Sequence, residues 1–210
     1  MARAPILNLG KRRQILDAAR SLFLAAGYER TAVDAIAARA GVSKATLYSH
    51  FADKQALFLA CASEESAGMR ARLADLLGAP TGEPAADLAE VGQAFLRSVA
   101  RPSTLAFRRI LVAEAGRFPE LGRTFFEDAT FAVRGRLADY LRRQGEAGSL
   151  TVNDGELAAA QFIALCVSDL LWRLELSVLS RVSSDLIHRT VRDALGTFLR
   201  AYRPDGLARP

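Results

Sequence analysis

The sequence predicts an all-α protein, on three observations. Alanine, leucine, arginine and glutamate dominate its 210 residues, while β-branched residues are sparse. Apolar residues recur every three to four positions along most of the chain, the period of a helix with one buried face. Short breaks rich in glycine, proline and serine fall at helical intervals: "GAPTGEP", "RPST", "RFPEL", "GEAGSLTVNDG" and "SRVSS". Half of the residues are hydrophobic, enough for a sizeable core and too many for a disordered chain.

The first helix is expected from Lys11 to Ala26, with Ile15, Ala18, Ala19, Leu22, Phe23 and Ala26 on one face and Gly27 at its end. Thr31 stands three residues before Asp34 and reads as the N-cap of a short second helix with Val33, Ile36, Ala37 and Ala40 inward. Gly41 closes that helix, where a chain reversal calls for a positive φ. Ser43 is the next N-cap, and a helix from Lys44 to about His50 turns Leu47 and Phe51 inward. Asp53 caps a longer fourth helix through about Leu77, anchored by Ala56, Leu57, Leu59, Ala60, Leu73, Leu76 and Leu77. Beyond the "GAPTGEP" loop, five further helices are expected at about 85–100, 103–117, 120–144, 154–179 and 184–203.

Charge is unevenly placed. Residues 1–60 hold nine lysines and arginines against four acids, and the remainder holds nineteen of each, so the whole excess of +5 lies near the start. That asymmetry points to a polyanionic partner for the first quarter of the chain. Cys61 and Cys166 make no metal-ligand spacing with His50 or His188, so no metal or cofactor is expected. A reducing cytoplasm suits two such thiols. The N-terminus lacks a signal-peptide core, and no segment reads as long and apolar enough to span a bilayer, so no membrane partner is expected.

"AGVSKATLYSHF" is the informative stretch. Two short helices joined by a glycine-containing turn make a helix-turn-helix. Ala37 allows close approach of the pair, and Leu47 reaches back to lock it. Ser43, Lys44, Ala45, Thr46, Tyr48, Ser49 and His50 are then left on the outer surface. That surface suits DNA. Small residues at Ala45, Thr46 and Ser49 admit the groove, and Lys44 and Thr46 can reach base edges. Tyr48, His50 and Lys54 can meet flanking phosphates.

The stretch "RQILDAARSLFLAAGYERTAVDAIAARAGVSKATLYSHFADKQALF" closely resembles the N-terminal domain of the TetR family of bacterial transcriptional regulators. "GY..T", "IA..AGVS", "TLY.HF" and "K.ALF" occur in the family's order and spacing. The resemblance implies a three-helix DNA-binding domain with its third helix in the major groove, and a larger C-terminal helical domain for effector binding and dimerisation. We place the boundary at 1–55 and 56–210. It also implies phosphate contacts near Thr31 and Lys54. Ala32 departs from the family pattern, in which many members carry a second hydroxyl residue after the threonine.

In the C-terminal region, Leu157 to Trp172 is apolar except at Gln161, Ser168 and Asp169, as expected of a helix buried on both sides. The last helix adds a stripe through Leu186, Val191, Leu195 and Phe198. Paired with their symmetry mates, these two helices would form a four-helix C2 interface. A homodimer would present two heads to a near-palindromic operator on double-stranded DNA.

The family resemblance also implies an effector pocket for a small apolar or amphipathic molecule. Phe107, Leu111, Phe131, Phe162, Cys166 and Trp172 are candidate lining residues, with Arg134 and Asp169 as polar anchors. Core packing is the more ordinary role of each apolar one. Asp169 needs a partner, for which an arginine is favoured over a ligand. The expected function is a homodimeric repressor released by its effector. The alternative is a DNA-bound adaptor that recruits a protein partner without a small ligand. No nucleophile–base pair, metal spacing or phosphate-binding glycine loop suggests an enzyme.

Overall fold

The computed structural model describes residues 9–204, apart from the side chains of residues 128–132. Every regular element among them is helical: α1 (Leu9–Ala26), α2 (Val33–Ala40), α3 (Lys44–His50), α4 (Lys54–Gly78), α5 (Pro84–Val99), α6 (Pro102–Ala115), α7 (Pro119–Glu146), α8 (Gly155–Glu175) and α9 (Ser184–Ala201). Contacts divide the chain into two units that no single cut separates. One comprises the chain to Glu65 together with Ala106–Phe125, and the other Ser66–Leu105 together with the chain from Phe126. Thus α4, α6 and α7 each contribute to both.

In the first unit, α1 lays Ile15, Leu16, Ala19 and Phe23 against Ile36 of α2, Leu47 of α3 and Leu57 and Phe58 of α4, all essentially inaccessible. Each such leucine or phenylalanine contributes about 1.5–3 kcal/mol on burial. Tyr28, Phe58, Phe107 and Phe118 extend this core as an aromatic cluster, with neighbouring ring centroids 5.2–5.5 Å apart. Edge-to-face packing suits the ring quadrupoles.

The start of α2 differs from the sequence expectation. Its N-cap is Ala32, which offers no side-chain bond. The Thr31 hydroxyl instead donates to the Gly27 carbonyl at 2.7 Å. It satisfies a carbonyl freed at the end of α1 rather than an N–H at the start of α2.

In the second unit, α5 packs against α8 and α9. Gly92 makes this approach possible: a Cβ there would lie 2.9 Å from Val191 Cγ1 and 3.3 Å from Cys166 Sγ. Phe162 of α8 meets Phe198 of α9 edge-on, with centroids 5.2 Å apart.

The buried Asp87 carboxylate of this unit is well partnered. Asp87 accepts from the Thr81 N–H at 2.9 Å, the Thr81 hydroxyl at 2.8 Å and the Tyr140 hydroxyl at 2.9 Å, which ties the α4–α5 loop to α7. Burial pushes the Asp87 carboxyl up, but the bonds from Thr81, Tyr140 and the Gly82 backbone outweigh it, and the net shift is downward.

Helix α8 corrects two expectations. Its most apolar stretch has a mean hydropathy of 1.5, so by length and composition it is long and apolar enough to cross a membrane. Yet it buries Ala158, Ala159, Phe162, Cys166, Leu170 and Leu174 against its own unit, as a core helix does. Within the single chain its other side stays open: Leu157 and Trp172 are 53% and 66% exposed, on the side expected to meet a partner. The helix kinks at Ser168 and stops at Glu175 rather than reaching 179, because the chain turns at Ser177 with φ +59°.

Candidate nucleic-acid interface

The turn between α2 and α3 is built as the sequence suggests. Gly41 has φ +65° and ψ +34°, the left-handed conformation that glycine adopts without a Cβ penalty. The N–H groups of Gly41 and Val42 close α2 by donating to Ala38 and Ala37 carbonyls at 3.2 and 3.0 Å. Ser43 then caps α3, accepting from the Thr46 N–H at 3.1 Å. Leu47 and Phe51 point inward, so the opposite side of α3 is left to solvent.

That outer face is organised within itself. The Ser43 and Thr46 hydroxyls lie 2.8 Å apart, and Ser49 donates to the Thr46 carbonyl at 2.7 Å. Ala45 is exposed, and Tyr48 is 44% exposed. The Lys44 ammonium lies 2.8 Å from Asp34 Oδ1. The bond to Asp34 raises its pKa, keeping it charged well above neutral pH. His50 turns Nδ1 inward, where it meets no hydrogen-bond partner. Only its other ring nitrogen is left for a group outside.

The structure thus brings Ser43, Lys44, Ala45, Thr46, Tyr48, Ser49 and His50 onto one short helix with a small, hydrogen-bonding outer face. It can meet a phosphate-lined groove without desolvating any large apolar side chain except the Tyr48 ring.

Two expected contacts are corrected. Thr31 is 3% exposed, and its hydroxyl is committed to α1, so its side chain does not face a phosphate. Lys54 is half-buried: its ammonium donates to the Glu29 carbonyl at 2.9 Å and sits 4.6 Å over the Tyr28 ring. Burial pulls its pKa down, against the nearby acids Glu114 and Glu29. In this arrangement Lys54 braces the α1–α2 turn and is not an arm reaching outward.

Sequence reasoning missed the residues that complete that brace. The Glu29 carboxylate pairs with Arg117, and the Glu29 N–H donates to Glu114 at 3.3 Å. It also missed Asp34 as the partner of Lys44. These pairs join residues on different helices or turns, so no local spacing signals them.

The proposed effector-pocket residues are divided between the two units. Phe107 and Leu111 lie in the core of the first unit, and Phe162 and Cys166 in that of the second. Arg134 pairs with Glu156 at 2.9 Å. Asp169 pairs with Arg173 at 3.5 Å, so its partner is the expected arginine, but the carboxylate is well exposed and not buried in an apolar site. Trp172 is 66% exposed. Phe131 lies outside the described residues. A shared apolar pattern marks residues as inward-facing without saying which core they enter.

In the second unit, Leu73, Val91, Phe95, Val133, Leu137, Phe162 and Ile163 line an apolar cavity of about 10 Å³. Burial pushes both thiols, Cys61 and Cys166, up to about 12, so neither is a reactive thiolate near neutral pH.

Known proteins carry the same two parts. Residues 15–61 match the family described as bacterial regulatory proteins of the tetR family, and residues 86–204 match the AefR-like transcriptional repressor C-terminal domain. A HTH-type transcriptional regulator of Bacillus subtilis, YvkB, is 26% identical over 92% of this chain and 97% of its own. A crystal structure of a TetR-family regulator from Mesorhizobium loti superposes with a TM-score of 0.80 at 26% identity, over 96% of this chain and 99% of that one. The flavonoid-responsive regulator FrrA superposes with a TM-score of 0.77 at 32% identity, over 93% of this chain and 98% of its own. With more than half of the chain in the repressor-type C-terminal match and the helix-turn-helix in the N-terminal one, the chain belongs to the TetR family of bacterial transcriptional regulators, a family of DNA-binding proteins.

Proposed function

We propose that the chain is a homodimeric repressor. It grips a near-palindromic operator with two copies of α3 and lets go when a small apolar or amphipathic effector enters the second unit. The observation that carries the DNA reading is the outer face of α3: Lys44, Ala45, Tyr48 and Ser49 stand exposed on a helix whose opposite side is locked by Leu47. Lys44 and Thr46 are placed to address bases, and Tyr48 and His50 the flanking phosphates. In this reading the head comprises residues 1–55, and 56–210 carry effector binding and dimerisation.

Large apolar residues left exposed on and just after α8 support dimerisation. Leu157, Trp172 and, past the helix end, Leu176 lie in water in a single chain, among exposed polar residues. An open groove of about 370 Å³ runs between Leu165, Ser168 and Asp169 of α8 and Leu186, Thr190 and Thr197 of α9. A second copy packed there would form an isologous four-helix contact and bury that face.

The effector would enter among α4, α5, α7 and α8, where the small apolar cavity lies. A cavity of that volume barely admits one water, so the effector must select a more open state of these helices. Because α4, α6 and α7 contribute to both units, their displacement can reach the brace around Glu29, Lys54 and Arg117. FrrA, a relative of similar architecture, is flavonoid-responsive, and planar aromatic molecules are the first class to try.

The small size of that cavity favours a second reading: a DNA-bound adaptor that recruits a protein partner. Genomic fragments captured by the full chain and sequenced should contain one recurrent motif beside a small set of genes. Transcription of those genes should rise when the regulator is deleted. A panel of aromatic molecules should include one that stabilises the protein and releases those fragments. Capture without any releasing molecule would favour the adaptor, and no recurrent motif would remove the DNA reading.

A further inference from the structure

We propose that Asp34 is a specificity-determining residue of the DNA head, holding the Lys44 ammonium back from phosphates until a base edge competes for it. This rests on the reading of α3 as the DNA-contacting helix.

Helix α3 carries one lysine and no arginine, so the placement of Lys44 decides how its only full-time charge is used. Its ammonium lies 2.8 Å from Asp34, and both side chains stay largely in water, 54% and 72% exposed. The two residues belong to different helices, brought together by the reversal at Gly41. An exposed pair of this kind contributes little to stability. Asp34 also lies in the first turn of α2, where it favours the helix dipole. That role needs no contact with Lys44.

The cost of an acid here is clear: on a surface facing a polyanion it repels phosphate. What it gains is selectivity. A lysine on its flexible four-carbon stem pairs with whichever phosphate is nearest, at any sequence. Held by Asp34, its charge is largely cancelled toward phosphates, while the ammonium keeps further N–H donors for an acceptor such as guanine O6 or N7. Non-specific binding falls more than specific binding does, which is discrimination by an unfavourable element. The neighbouring hydroxyls of Ser43, Thr46 and Ser49 bond within α3, so none of them replaces Lys44 as the partner of Asp34.

The test uses the full chain and two duplexes: one selected from a random pool by the wild-type protein, and a scrambled duplex of the same composition. Binding is measured across salt concentrations for wild type, D34N, K44A and the double variant. D34N should bind the scrambled duplex about three- to tenfold more tightly, with a salt slope steeper by about one. Affinity for the selected duplex should change less. In the K44A background, D34N should give only a smaller gain, equal on both duplexes, from the lost repulsion of phosphate by the acid itself, and the difference between the two backgrounds isolates the coupling. Equal gains on both duplexes in the wild-type background, a gain undiminished by K44A, or unchanged affinity for the scrambled duplex would overturn the proposal. If the wild type enriches no duplex at all, the DNA reading itself fails and takes this proposal with it.

Discussion

Helices α3 and α8 are built on opposite plans. Each buries one apolar side, Leu47 for α3 and Phe162 with Cys166 for α8. They differ in what faces out. α3 shows hydroxyls, a lysine and a tyrosine, with the Ser43, Thr46 and Ser49 hydroxyls bonded within a turn and Lys44 paired with Asp34. α8 shows Leu157 and Trp172, interspersed with the exposed polar Gln161, Ser168, Asp169 and Arg173. A polar outer face exchanges water for phosphates and bases. An apolar outer face gains about 25 cal/mol for each Å² that a second protein surface removes from water. In the proposed function the outward chemistry of each helix selects its partner, a polyanion for one and another copy of the chain for the other.

Inner-face truncations should have the largest effect and should not distinguish the helices. Leu47→Ala and Phe162→Ala should each cost about 2–5 kcal/mol in chemical denaturation. A cost below about 1 kcal/mol at either site would mean that its core is not packed as described.

The outer faces should then separate. Trp172→Glu should weaken self-association by tenfold or more, as about 1.4 kcal/mol does, with helix content unchanged by circular dichroism. A variant that sediments as wild type would remove Trp172 from the contact. On α3, Tyr48→Ala and His50→Ala should weaken binding to every duplex by roughly three- to tenfold and flatten its salt dependence. Unchanged affinity in both would leave the outer face of α3 without its proposed role.

A smaller effect should come from the buried acid of the second unit. The folded-state pKa of Asp87 is depressed, so the stability it contributes is present above the pKa of the unfolded chain and is lost as pH falls through the folded value. Tyr140→Phe removes one of its donors. The variant should lose about 1 kcal/mol near neutral pH and show a shallower loss on acidification. Identical acid profiles would remove Tyr140 from that linkage. Cys61 and Cys166 should show the least, remaining unmodified by thiol reagents in the native state at neutral pH.

What could be read from the sequence follows the range of the interactions. Helix α3 was legible to the residue, because Ser43 caps it from three residues away and Leu47 marks its inner face. The HTH resemblance was legible for the same reason. Thr31 was misread at one step: a threonine between two helices can cap either, and the Gly27 carbonyl lies within reach of its hydroxyl. The role of Lys54 depends on Glu29, twenty-five residues away, and that of Lys44 on a turn that brings Asp34 beside it. The effector candidates fall in two different cores because inward periodicity is shared by both. The apolar run in α8 hides the division between its inner and outer sides, which only packing reveals.

Selection of binding sequences from a random duplex pool by the full-length protein tests the central claim most directly. The enriched sequences should contain two inverted half-sites, their centres about one helical turn of roughly 34–36 Å or a multiple apart, as two α3 helices on a symmetric dimer require. A pool that enriches no sequence, or a single half-site without its inverted mate, would contradict it.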